Sequence, residues 1–289
     1  MNLLGGFALL LGCVFGGYLL GGGHLEPILH SLPFEMMIIG GAAVGSFLMA
    51  NSIAGAKHTL AGFGKAFKGA RFTRQDYLDL CALLHRLLRV AQSKGAAGLE
   101  PHIERPAEST IFAAFPRVAK DHHAVALICD YLRMVGMNAD DPHQIEDVMA
   151  RELKKIREEE MHAAHALQSM ADALPALGIV AAVLGVIKTM ASIDQPPAVL
   201  GGMIGGALVG TFLGVLLAYG LVGPIASRVK GVVDEEARFY EVIRAVIVAH
   251  LQGLAPQVAA EVGRKTVPTG LMPTFQAMEE ALMATPLPA

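Results

Sequence analysis

The stretch "ADALPALGIVAAVLGVIKTM" (171–190) decides the fold of this chain. From Leu174 onward it is apolar apart from Lys188 and Thr189, and a bilayer crossing takes about 20 predominantly apolar residues. Pro175 lies near its start. Gly178, Ala182, Gly185 and Thr189 recur at helical spacing and form one face of small side chains. Its sole carboxylate is Asp172. A membrane helix with a proline, a small face and no proton acceptor of its own needs something to work beside it.

Three further runs share this character, so the chain reads as four spans, roughly 3–22, 34–53, 173–193 and 199–224. The composition agrees: 53% of the residues are hydrophobic and only 17% charged, with the charges gathered between the runs. The first run lacks a basic leader and is longer than a signal-peptide core, so it reads as a retained span. Loops 21–33 and 194–198 contain no Lys or Arg. Lys57, Lys65, Lys68, Arg71 and Arg74 follow the second run, and Arg228 and Lys230 follow the fourth. The positive-inside rule then puts the short loops outside, and both termini and the long segments in the cytoplasm. The expected fold is an all-α, multi-pass membrane protein in contact with lipid. The divisions are membrane helices 1 and 2 in 1–54, a helical cytoplasmic domain in 55–170, membrane helices 3 and 4 in 171–225, and a cytoplasmic helix with a flexible tail in 226–289.

The cytoplasmic stretches read as helices. "YLDLCALLHRLLRVAQ" (77–92) places Leu80, Leu83, Leu84, Leu87 and Leu88 on one face, and Gly95 and Gly98 should end that helix. Residues 100–112 carry two prolines and read as a turn with short helical pieces. Residues 126–137 form another amphipathic helix. Residues 143–170 are charged and proline-free and run as a helix into the third span; 227–254 continue the fourth. The tail beyond Thr266, with Pro268, Pro273, Pro286 and Pro288, reads as partly disordered.

A net charge of −3 gives no reason to expect nucleic acid. Cys13, Cys81 and Cys129 match no CxxC spacing and read as free thiols. His122 and His123, and His162 and His165 beside Glu158 and Glu159, read as solvated surface rather than a metal site, because no further ligands accompany them. No P-loop, dinucleotide fingerprint or nucleophile motif occurs, so neither an enzyme nor a bound cofactor is expected.

Within the spans, Gly202, Gly206, Gly210 and Gly214 recur every four residues. Such a stripe lets another helix approach closely, and it points to packing between copies, with packing inside one chain as the alternative. Thr211 lies on the neighbouring small face; it either bonds its own helix backbone or touches a hydrated ion path. Pro175 either frees a carbonyl in mid-helix or occupies a harmless first turn, and Pro224 poses the same choice. Lys188 snorkels to the interface. No run carries Asp or Glu near its middle: Glu35 falls at the edge of the second, and Asp172 and Asp194 flank the third. Ion carriers rely on an intramembrane carboxylate. The chain alone therefore lacks the group that would carry ions, which argues against a self-sufficient channel or transporter.

"GCVFGGYLLGGG", "EPHIERPAESTIFAAFPR", "DALPALGIVAAVLGV", "ALVGTFLGVLLAYGLVGPIA" and "EVGRKT" occur in this order. Through them the chain, up to about Thr266, resembles the MotA family of flagellar motor stator proteins, which implies a place in the bacterial inner membrane. That resemblance implies five copies around two copies of MotB, a peptidoglycan-anchored subunit that brings the ion-binding aspartate. It also implies a cytoplasmic domain that pushes on the rotor protein FliG. By the same resemblance Pro175 and Pro224 couple ion flow to movement and Thr211 stands near the ion path. Ala182 stands where sodium-driven relatives carry threonine, which implies protons, since an alanine supplies no oxygen ligand to a dehydrated cation. Glu100 matches the family's acidic rotor-facing residue. The family's arginine is replaced by Gln92, leaving Arg89 or Lys94 to supply the positive charge. An ExbB- or TolQ-like ion-driven scaffold is the other reading, weakened by the count of four spans where those have three.

Overall fold

The structure, a computed structural model, describes residues 2–136 and 141–284. Met137, at the end of the helix expected over 126–137, and Pro286 and Pro288 of the tail lie outside the described residues. Among those described there is no strand. In chain order, α1 (Asn2–Leu20) precedes α2 (Glu26–Glu35), which continues through a π-turn over Met36–Gly40 into α3 (Gly41–Ala50). Next come α4 (Ile53–Lys68), α5 (Arg74–Glu104), the short α6 (Thr110–Ala113) and α7 (Pro116–Ala119), and α8 (His122–Gly136). The 49-residue α9 (Pro142–Met190) leads to α10 (Pro197–Leu216), which passes through a second π-turn, Leu217–Val222, into α11 (Gly223–Leu251). Finally come α12 (Pro256–Thr266) and α13 (Phe275–Met283). As the sequence implies, the charged helix runs unbroken into the third span and the fourth span runs on into a charged helix.

Four helical runs are long and apolar enough to cross a membrane: Leu3–Leu20, Glu26–Ala50, and windows within Pro142–Met190 and Pro197–Leu251. The second differs from the sequence reading, because its helix starts at Glu26 and not near Phe34. Pro27 occupies the first turn, where its missing N–H costs nothing. Pro33 does not stop the helix either. It cannot donate to the carbonyl four residues back. The helix instead widens just beyond it, and the Met36 N–H reaches the carbonyls of both Leu32 and Pro33. Pro224 has the same neighbour: the second π-turn ends two residues before it.

The chain divides into two compact units. One holds the residues up to Gly69 with Glu159–Val233; the other holds Ala70–Glu158 with the residues from Asp234. In the first unit the packing is built from small side chains. Ala66, Ala163, Ala164 and Ala226 are buried with Leu167, Ile225 and Val229, and a methyl on Gly62 would lie 2.5 Å from the Ala163 Cβ. Lys65 pairs with Glu160. Ser52 caps α4 at its start, accepting from the Gly55 N–H, and Gly69 ends it at φ 77°. The apolar window of α1 has no buried residue, as expected for a helix that faces lipid.

The second unit has a core of large side chains. Leu80, Leu83, Leu84, Leu87 and Leu88, the stripe read from the sequence, are at most 1% exposed. They pack with Tyr77, Phe112, Ile128, Tyr131, Phe239, Ile243 and Val246. Thr73 and Asp76 form a reciprocal capping box at the start of α5. Gly95 interrupts α5 at φ 68°, and a further helical segment carries Pro101 beyond it. Arg71 binds Glu236 and Tyr240, and Tyr240 donates to Asp121.

Of the tail read as partly disordered, the part up to Ala284 is ordered. Arg264, 5% exposed, donates to Glu261 and to the Pro273 carbonyl at 2.8 Å. Thr274 caps α13, whose Met278 and Leu282 are buried in the core. A methyl on Gly263 would lie 2.3 Å from the Val246 side chain, so α12 seats closely against α11. These contacts account for "EVGRKT" as a structural motif.

Candidate functional site

The site grows from the contact between α9 and α10. A methyl on Gly178 would lie 2.8 Å from the Gly210 carbonyl oxygen, and one on Gly214 2.7 Å from the Leu174 carbonyl oxygen. A methyl on Gly185 would lie 2.6 Å from the Ala207 Cβ. All three fall below the distance at which real side chains meet, so the two backbones touch. The glycine stripe read as a surface between copies therefore acts inside the chain. Gly210 and Gly214 meet α9, and a methyl on Gly206 would lie 2.9 Å from the Ser31 hydroxyl of α2. Gly202 has nothing within 4 Å. The matching small face of α9 is the physical reason: two glycine faces of like spacing exclude larger side chains along the same seam.

The residues singled out in the spans divide between this seam and elsewhere. Pro175 is half-buried in the interior of α9, thirty-odd residues from its start, so the harmless first-turn reading does not apply. Ala182 is half-buried beside the buried Ala181, and its backbone nitrogen would lie 3.2 Å from a methyl on Gly210. Thr211, half-buried, is the next residue along. The Thr59, Thr189 and Thr266 hydroxyls each donate to the carbonyl one turn back. Among the described residues Thr211 makes no such bond, which leaves its hydroxyl available. Lys188 is exposed. Pro224 is exposed beyond the second π-turn and lines a separate cavity with the first turns of α1.

Glu35 was misplaced by the sequence reading. It lies inside the helical run Glu26–Ala50, not at its edge, and is 7% exposed. Its Oε2 has no hydrogen-bond partner, and a methyl on Gly210 would lie 2.7 Å from it. It borders a cavity of about 650 Å³ lined also by His30, Ser31, Ala181, Lys188 and Thr189. The chain thus holds a carboxyl of its own within a span. The available signal was Pro27, a first-turn proline ahead of Ile28, Leu29 and Leu32, which extends the second span upstream by two turns.

The charged residues expected to face a rotor all lie in the second unit. Arg89, Gln92 and Lys94 are exposed on the first segment of α5, and Glu100 is exposed beyond the Gly95 break. Among the described residues Arg89, Lys94 and Glu100 form no ion pair with one another. Arg89 and Gln92 share a cavity of about 370 Å³ with His85, Gln257 and Glu279, whereas Lys94 does not line it. His85 is buried with its Nδ1 unpartnered. Burial, and then the Arg89 charge, push its imidazole down to about 4. Sequence reasoning gave His85 no role.

Comparison with known proteins agrees with this fold. Residues 4–95 match the family model "Motility protein A N-terminal", and residues 116–242 match "MotA/TolQ/ExbB proton channel family". The chain is 39% identical over 284 residues to Motility protein A of Salmonella typhimurium, covering 98% of this chain and 96% of that one. It is 37% identical over 277 residues to Chemotaxis protein LafT of Vibrio parahaemolyticus, covering 96% of each. A chain of the C. jejuni MotAB structure shares the fold at TM-score 0.73 and 18% identity, over 93% of this chain and 96% of that one. A chain of the flagellar MotAB stator complex from Bacillus subtilis does so at TM-score 0.68 and 22% identity, over 89% and 92%.

Proposed function

The chain belongs to the motility protein A family, and from that premise we propose how it works as a stator subunit of the flagellar motor. It is a multi-pass membrane protein that assembles with a MotB partner. The coupling ion is the proton. Five copies surround two MotB-like subunits, whose carboxylate takes up the proton beside the seam of α9 and α10. The short loops face outward, and both termini and the second unit lie in the cytoplasm, where Glu100 and either Arg89 or Lys94 meet the rotor protein FliG.

The observation that carries this reading is the seam itself. Gly178, Gly210 and Gly214 hold two backbones in contact, and Pro175, Ala182 and the unbonded Thr211 lie along it. Protonation of a neighbouring carboxylate removes a charge next to these groups and changes the desolvation and hydrogen-bonding balance there. The preferred packing of the helices shifts with it. Because Pro175 lies mid-helix, the carbonyl at Ala171 lacks its usual N–H donor, which lowers the cost of bending at that point. Moving a charge through the membrane field supplies about 2.3 kcal/mol per 100 mV. Ala182 supports the proton, since it offers no side-chain oxygen to a dehydrated cation.

The test is swimming of a strain lacking this protein, complemented with it, at varied sodium and with a protonophore. Swimming that stops with the protonophore and ignores sodium supports the proton; the reverse pattern refutes it. Glu35 makes a second measurement necessary. Proton flux into liposomes is expected only when the MotB partner is reconstituted with the chain. Equal flux without the partner would assign conduction to this chain alone.

A further inference from the structure

A cavity of about 750 Å³ opens between the first turns of α1, the end of α4 and the start of α11. Leu3, Phe7 and Leu10 of α1 form its apolar wall, Pro224 contributes to the opposite side, and Lys68 and Arg228 are its charged lining residues. Among the described residues no acidic side chain lines it. Among the described residues neither Lys68 nor Arg228 makes an ion pair, although Lys65, one turn earlier, is held by Glu160. Gly69 keeps the place of the arginine open, because a methyl there would lie 3.2 Å from its Nη2. The glycine at φ 77° also ends α4 at this point, so its last turn presents Lys68 to the opening.

From this we infer a binding site for one anionic phospholipid, with its phosphodiester on Lys68 and Arg228 and an acyl chain along Leu3, Phe7 and Leu10. The volume lies within the range of small-molecule sites, about 300–1,000 Å³. Two uncompensated cations beside an apolar slot match a negative headgroup joined to a hydrocarbon tail. A zwitterionic lipid would bring an ammonium group for which the slot has no carboxylate. The loose seating of α1, whose apolar window has no buried residue, leaves the slot open to the bilayer. Charge and hydrophobic length fit together only if the basic end lies at the cytoplasmic face, so the inference rests on the orientation proposed above. The bound lipid would touch Pro224, two residues beyond the second π-turn, and would therefore favour one packing of that helix over another.

The experiment uses the full chain purified with its MotB partner and reconstituted in nanodiscs of phosphatidylcholine doped with phosphatidylglycerol. Native mass spectrometry counts the lipid retained per chain. Phosphatidylglycerol is expected at one per chain, and the K68Q/R228Q double variant should retain at least about tenfold less. A K57Q/K230Q control, with the same change of charge outside the cavity, should retain it as wild type does. Equal retention of both lipids, an unchanged double variant, an equally weakened control, or exclusion of lipid by a neighbouring copy would each overturn the site. Swimming is scored separately. Wild-type protein that binds the lipid but fails to restore swimming sinks the stator reading and leaves the site standing, whereas lipid loss in the double variant supports the site whether or not the strain swims.

Discussion

Two helix contacts in this one chain are held together by opposite means. Along the seam of α9 and α10 the closest groups are glycines, alanines and backbone carbonyls. Around α5 they are leucines and aromatic rings, with Phe72 stacked on Phe239 at 3.8 Å between centroids. The difference teaches where each contact gets its free energy. Lipid gives apolar side chains no reason to leave it, so a membrane seam depends on close backbone approach and dispersion. A contact formed from water gains about 25 cal/mol for each Å² of apolar surface it hides, so large side chains stabilise it most. Gly263 against Val246 shows that a single close approach also has a place within the leucine-rich core.

The sharpest way to break the comparison is to add volume to the seam. Gly214→Val should abolish swimming at normal protein levels, since even a methyl there would lie 2.7 Å from the Leu174 carbonyl oxygen. Soft-agar spreading, with immunoblots of the membrane fraction, checks this; near-normal spreading would refute the close seam. Removing volume is the matching insult in the other core. Leu84→Ala should destabilise the second unit by about 3 kcal/mol, within the usual range for a buried leucine. Hydrogen exchange of its amides in the full chain would measure the loss, and a change below about 1 kcal/mol would contradict the packing described.

Acid should loosen the leucine-rich unit through His85. Its folded value, about 4, lies below the ordinary 6.5, so the fold favours the neutral ring. The associated stability is complete above the ordinary value and is lost as pH falls through 6.5 towards 4. Between pH 7 and 5 the loss should be about 2 kcal/mol. Arg89 on the same helix opposes the charged ring, while Glu279 across the cavity would favour it. Exchange measured in His85→Leu should lose this pH dependence, and an identical slope would remove His85 as its source. The smallest effect belongs to Gly202→Ala. Nothing lies within 4 Å of the added methyl, so swimming and stability should stay within about 0.5 kcal/mol of wild type. A swimming defect there would bring back the stripe as a surface between copies.

The sequence made the leucine stripe of α5 and the four apolar runs readable because each is a repeated pattern that outweighs any one residue. Single residues misled where they carry two meanings. Pro33 reads as a boundary, yet a π-turn next to it absorbs its missing donor, and that shift carries Glu35 from the edge of the span to its interior. The glycine stripe showed its spacing but not its partner, since any face of small residues would satisfy it. The prolines beyond Thr266 suggested disorder, while Arg264, whose side chain holds the Pro273 carbonyl, lies nine residues from it. Partners that distant leave no periodic trace.

The two π-turns carry a consequence for how such helices can change. Each holds one residue more than an α-helix needs, and one residue corresponds to about 100° of rotation and 1.5 Å of rise. Deleting a single residue from Leu217–Val222 would turn that stretch into plain α-helix and leave the later side chains of the run, from Pro224 onward, close to their present phase, because the turn had already absorbed the extra residue by winding more slowly. The same deletion in a regular α-helical stretch would swing everything beyond it by about 100°. The two π-turns are therefore the places in these helices where the count of residues can fall by one while the bearing of one half on the other is kept.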